Sequence, residues 1–142
     1  MSRFAFSILL FCFLPLLLTG CGDSGPPTYP AKGTVTYKDK PLTFGRVLFQ
    51  PAQGQPAKAE IQSDGSFTLT TGTRDGAVAG EHKVTVMCNE IHDPNFVMPT
   101  DSEPAPGKSL IPAKYDAAAT SGLTFSVTAS GDNNFSIVLT DD

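Results

Sequence analysis

From Ala31 onward, apolar and polar residues alternate in short runs separated by Gly, Pro, Asp and Asn. A period of two sends successive side chains to opposite faces of a pleated strand, so each run predicts a strand with one buried face. Gly33-Thr34-Val35-Thr36-Tyr37 sets Val35 and Tyr37 against two threonines, and Lys38-Asp39-Lys40-Pro41 supplies a polar turn. Residues 42–50 predict the next strand, with Val47 and Phe49 inward and Pro51 ending it, because proline cannot donate to a ladder. Residues 58–63 and 67–71 flank Asp64-Gly65-Ser66, the strongest hairpin signal in the chain, and the hairpin sets Ala59 and Ile61 opposite Phe67 and Leu69. Residues 81–88 alternate Val84, Val86 and Cys88 against Lys83, Thr85 and Met87 and predict a central strand. Leu123, Phe125 and Val127, then Phe135, Ile137 and Leu139, predict a closing hairpin around a turn at Gly131-Asp132-Asn133. No segment carries a convincing helical period, so the pattern predicts an all-β sandwich or barrel.

Two stretches break the alternation. Residues 89–112 hold five prolines and few periodic apolar positions, and a loop that long in a compact domain is usually functional or disordered. His92, Asp93 and Phe96 mark it as a candidate interaction loop. At the other end, Arg3 precedes an apolar run over residues 4–18, interrupted by Ser7 and Pro15. That run is shorter than the roughly 20 residues a bilayer crossing needs, and it predicts a signal peptide instead.

The apolar run closes on Leu18-Thr19-Gly20-Cys21, which resembles the lipobox of bacterial lipoprotein signal peptides. The resemblance implies a signal peptide over residues 1–20, cleavage before Cys21, and acyl chains on its sulfur. Two or three chains anchor stably, at about 0.8 kcal/mol per buried methylene, where one chain is marginal. Gly22 follows the cysteine, where Asp favours retention at the inner membrane in Gram-negative sorting, so the resemblance points to the outer membrane. Residues 21–30 are rich in Gly and Pro and read as a lipidated flexible tether, whose nine residues after Cys21 span at most about 30 Å. Residues 31–142 form one domain.

Composition narrows the partners. The formal charge is −4, and loss of Arg3 with the signal leaves nine basic against fourteen acidic residues, about −5. A mildly acidic domain without basic clusters does not recruit nucleic acid phosphates. Of three cysteines, Cys12 falls in the signal and Cys21 is the lipid acceptor, so Cys88 has no intramolecular partner and reads as a small buried apolar residue.

Gly33-Thr34-Val35-Thr36-Tyr37, Lys40-Pro41-Leu42, the run from Gly45 to Pro51, Ser63-Asp64-Gly65-Ser66-Phe67 and the run from Gly80 to Val86 resemble the carboxypeptidase regulatory-like domain. Ile111-Pro112-Ala113-Lys114-Tyr115, Ser121-Gly122-Leu123-Thr124-Phe125 and Asn134-Phe135 resemble short bacterial lipoproteins carrying that domain. The resemblance implies a seven-stranded Greek-key β-sandwich of the transthyretin or prealbumin-like type, generally without catalytic residues. Residues 89–112 depart from that pattern. In the physical reading, Gly45 and Gly80 precede strands, where a residue without Cβ takes positive φ at no steric cost.

Candidate chemistry is sparse. His82 reads as a solvated residue at a strand start and His92-Asp93 as polar loop surface, rather than as metal ligands. Asp64, Asp75, Asp132, Asp141 and Asp142 lack EF-hand spacing. Tyr29 and Tyr115 are the free aromatic candidates for a carbohydrate platform, and Tyr115 alternatively bonds its hydroxyl to backbone as a tyrosine corner does. The transthyretin-like hydroxyisourate hydrolase ends in Tyr-Arg-Gly-Ser and uses several histidines, whereas this chain ends Leu139-Thr140-Asp141-Asp142 and has two. The sequence therefore predicts no enzyme, no cofactor and no metal. It predicts a lipid-anchored envelope module that meets a protein partner, or alternatively a glycan or peptide.

Overall fold

The computed structural model describes residues 25–90 and 107–141. Its strands, in chain order, are β1 (Thr28–Tyr29), β2 (Ala31–Tyr37), β3 (Lys40–Pro41), β4 (Arg46–Pro51), β5 (Ala57–Glu60), β6 (Ser66–Thr68), β7 (Thr70–Thr71), β8 (Arg74–Asp75), β9 (Ala77–Val78), β10 (Gly80–Met87), β11 (Leu123–Val127) and β12 (Asn133–Leu139). One 3-10 turn, Ala113–Asp116, lies against β10. The domain is all-β, as the alternation predicts. A large antiparallel sheet runs β11-β10-β4-β5-β7-β8, and a smaller mixed sheet joins β12 to β2, with β3 and β6 both pairing β2.

The two sheets share one apolar core, and the period of two fills it. Val35, Val47, Phe49, Ile61, Phe67, Leu69, Val84, Val86, Val127, Ile137 and Leu139 are buried, while Leu123, Phe125 and Phe135 are half-buried against them. Phe49 of the large sheet is the hub. Its ring centroid lies 6.1 Å from Phe67, 6.0 Å from Phe125 and 5.3 Å from Phe135. Tyr37, expected inward, is half-buried, and its hydroxyl donates to Asp141 at the surface. Gly45 and Gly80 adopt φ of 129° and 127°, the region the sequence anticipates for them.

Two expectations about strand pairing are corrected. The turn at Asp64-Gly65 forms, with the Gln62 N–H donating to the Ser66 carbonyl at 2.8 Å, but the returning strand divides between sheets. Ser66–Thr68 pairs β2, and Thr70–Thr71 then rejoins β5. Gly33 permits this approach, since a Cβ there would sit 2.7 Å from the Phe67 ring.

The closing hairpin does not form either. β11 pairs β10 antiparallel, while β12 crosses to the other sheet and runs parallel to β2. Phe125 and Phe135 therefore meet across the core, 5.3 Å between centroids, instead of lying side by side in one sheet.

The expected tether is docked at its end. Thr28–Tyr29 pairs Ala77–Val78, and Arg74 donates to the Pro26 carbonyl at 2.7 Å. Backbone groups of a Pro-rich segment are held wherever a strand edge and a cation can take them. The ends of the Pro-rich segment 89–112 are likewise tied down. Asn89 bridges Ser109, the Leu110 N–H donates to the Cys88 carbonyl at 2.8 Å, and Ile111 is buried.

Candidate functional site

A concavity lies where the entering chain, β6 and the crossover into β12 converge. It is a groove of about 540 Å³, lined among others by Tyr29, Lys32, Thr68, Asp132 and Asn134. That volume falls within the roughly 300–1,000 Å³ typical of small-molecule sites. Each element sets one wall. β1 brings in Tyr29, whose half-buried ring packs on the core from one side. Alternation along β2 turns Lys32 outward between buried Ala31 and Gly33, and the same rule turns Thr68 and Asn134 outward.

The crossover wall is held by Asn133, which is 7% exposed. Its Oδ1 accepts the Thr128 N–H at 2.8 Å and the Thr128 hydroxyl at 3.3 Å. Its Nδ2 donates to the Thr128 carbonyl at 3.0 Å and to the Pro30 carbonyl at 3.1 Å. One amide thus serves the backbone where the crossover begins and ties it to the entering chain 103 residues away. Gly131 completes the loop, since a Cβ there would lie 2.4 Å from the Thr128 hydroxyl. Among the described residues, the side chains of Lys32, Thr68, Asp132 and Asn134 make no hydrogen bond within the protein. One cation and one anion border the groove, and their formal charges cancel.

The other sequence candidates fall elsewhere. Cys21, His92, Asp93 and Phe96 lie outside the described residues. Cys88 is buried at 1% exposure, and loss of hydration, with a smaller contribution from the Asp116 charge, pushes its thiol pKa up. A thiol held protonated in the core is a poor nucleophile.

His82 corrects the reading of a solvated strand start, because it is fully buried. Its ring lies 5.9 Å from that of Phe49, and its Nε2 lies 2.9 Å from the Val78 carbonyl, which makes Nε2–H the donor. Nδ1 is buried without a partner among the described residues. The signal was present in the sequence: His82 continues the inward row of Val84 and Val86 by one step.

Tyr115 behaves as the corner reading expects. It is buried, its hydroxyl donates to the Thr140 carbonyl at 3.2 Å, and it accepts the Thr140 N–H at 2.9 Å. Burial pushes its pKa up, but the Thr140 bonds and Lys114 pull the other way and leave it lowered.

Of the candidate aspartates, Asp64 and Asp141 are separately engaged. Asp64 accepts the Ser66 N–H and hydroxyl, which lowers its pKa. Asp141 meets Lys38 at 2.7 Å and Tyr37, and these bonds hold its carboxyl below the usual range. Among the described residues no three His, Cys, Asp or Glu side chains gather as a metal site.

Sequence reasoning named Tyr29 as a free aromatic but missed Lys32, Thr68, Asp132 and Asn134 as its neighbours. Their approach depends on strand crossing, which alternation does not encode. Comparison of the chain with family models, with curated proteins and with solved structures finds no match.

Proposed function

We propose that this chain is a non-catalytic, lipid-anchored module of the cell envelope that binds a ligand in the groove beside β1. The observation that carries this reading is the groove itself: its wall is fixed by the Asn133 bonds, and it is lined by polar side chains that make no hydrogen bond among the described residues. A site held in place before binding loses little freedom when its ligand arrives. The thiol of Cys88 and the imidazole of His82 are both sealed in the core, so neither supplies a nucleophile or base to the groove.

The anchoring half rests on Leu18-Thr19-Gly20-Cys21, with Gly22 favouring the outer membrane. The fold proposed with it is the seven-stranded sandwich of the carboxypeptidase regulatory-like type. Its support is the set of six longer strands, β2, β4, β5, β10, β11 and β12, together with the divided strand β6 and β7 as the seventh.

Mass analysis of the N-terminal peptide from the membrane fraction tests the anchor. The expected species is a diacylated or triacylated Cys21. An N-terminus still at Met1, or a bare Cys21 thiol, refutes it. Crosslinking in solubilised membranes tests binding, and a ligand that contacts residues outside the groove removes the groove from the proposal.

A further inference from the structure

The groove specifies a ligand class, given the binding role proposed above. Its charges balance, with Lys32 against Asp132, so a phosphate-rich or strongly anionic ligand finds no excess of cations. Its floor strand β2 is paired on both edges, by β12 on one side and by β6 and β3 on the other. An extended peptide therefore has no edge of β2 to join there, which leaves it only the outer edges of β12 and β6.

What remains is one fixed aromatic ring beside side chains of both hydrogen-bonding senses. Lys32 donates, Asp132 accepts, and Asn134 and Thr68 do both. We infer that the groove binds an uncharged, hydroxyl-rich glycan. A sugar ring presents a C–H face suited to the apolar face of Tyr29 and a rim of hydroxyls that both donate and accept. The Asn133 amide has its donors and acceptor engaged with Thr128 and Pro30, so it shapes the site without competing for the ligand.

The test uses the full chain in lipid nanodiscs against immobilised neutral and anionic oligosaccharides. Retention of a neutral oligosaccharide is expected. Asp132→Ala and Asn134→Ala, both at exposed positions, should each weaken it about tenfold, the equivalent of one hydrogen bond of about 1.4 kcal/mol. Tyr29→Ala should weaken it at least as much. Val138→Ser, at a 54% exposed position outside the groove, should leave it unchanged.

Failure to retain any neutral glycan overturns the inference. So does retention of anionic glycans alone with loss in Lys32→Ala, and so does neutral-glycan retention that is unchanged in Asp132→Ala, Asn134→Ala and Tyr29→Ala alike. Melting curves of the variants separate loss of the site from loss of the fold. The mass of the N-terminal peptide from the same preparation distinguishes the two proposals: a lipidated chain that binds no glycan refutes the ligand class and leaves the anchoring intact.

Discussion

Asn133 offers the sharpest perturbation, because a single amide makes four hydrogen bonds that close the groove wall. Asn133→Ala removes all four. At about 0.5–1.5 kcal/mol net for each bond, and with water able to reach the exposed Thr128 and Pro30 side of the site, the expected loss is roughly 2–4 kcal/mol. For a domain of this size about 1 kcal/mol moves Tm by several degrees, so the melt should fall by roughly 10–20 °C.

Asn133→Asp sharpens the test. The volume is unchanged and one oxygen still accepts from Thr128, but the other now faces the Thr128 and Pro30 carbonyls where an N–H donated before. Protonation restores one donor, so the folded-state pKa of the new carboxyl must rise above the free value of about 3.9. A raised folded pKa makes the variant most stable below the unfolded value, with stability lost as pH rises through the folded one. Calorimetry of wild type and variant across pH should therefore show a Tm gap that is small in acid and widens toward neutrality. A gap independent of pH, or an Asn133→Ala variant within about 0.5 kcal/mol of wild type, refutes the role assigned to this amide.

Tyr115→Phe strips the Thr140 N–H and carbonyl of their shared hydroxyl and should cost about 1–3 kcal/mol. Amide exchange at Thr140 should accelerate, and unchanged protection would contradict the corner. Cys88, buried and with its thiol pKa raised by lost hydration, should resist iodoacetamide in the native protein and react on unfolding. Peptide mapping reads this directly, and rapid native labelling would show the thiol accessible. Ser66→Ala removes a bond that lowers the Asp64 pKa, so Asp64 should titrate higher in carboxyl-carbon NMR. A depressed folded pKa stabilises above the unfolded value and loses that contribution as pH falls through the folded one, so the variant should lose less stability in acid. An unmoved titration would assign the shift to other groups.

Burial was legible in the sequence where pairing was not. Alternation places Val35, Val47, Phe49, Val84 and Val86 inward because side-chain direction has period two whatever the neighbouring strand. It says nothing about which edge a strand joins. Thus the period finds the inward faces of β11 and β12, while their assignment to opposite sheets escapes it. The turn at Asp64-Gly65 was readable from its own residues, but the division of the strand after it depends on Gly33, some thirty residues earlier in the chain. His82 reads as a solvated strand start, whereas the row through Val84 and Val86 places it inside. Asn133 looked like one more turn residue. Its role requires the Pro30 carbonyl, and a contact across 103 positions leaves no local pattern.

The docked N-terminal segment links the groove to the proposed anchor. A free tether through Pro30 would let the domain tumble within about 30 Å of the membrane. With the Pro26 carbonyl held by Arg74 and Thr28–Tyr29 paired to β9, only about five residues, at most about 18 Å of chain, separate Cys21 from the docked segment. Tyr29 follows Pro26 by three positions, so the groove lies where the N-terminal chain enters the domain. Anchoring on Cys21 would then do more than confine the domain. It would hold the groove close to the membrane surface, and a ligand reaching it would come from the layer next to the lipid headgroups. The same Asn133 amide that shapes the groove also bonds the entering chain at Pro30. Loosening that bond should therefore disturb the groove and, with Cys21 anchored as proposed, its orientation at the membrane as well.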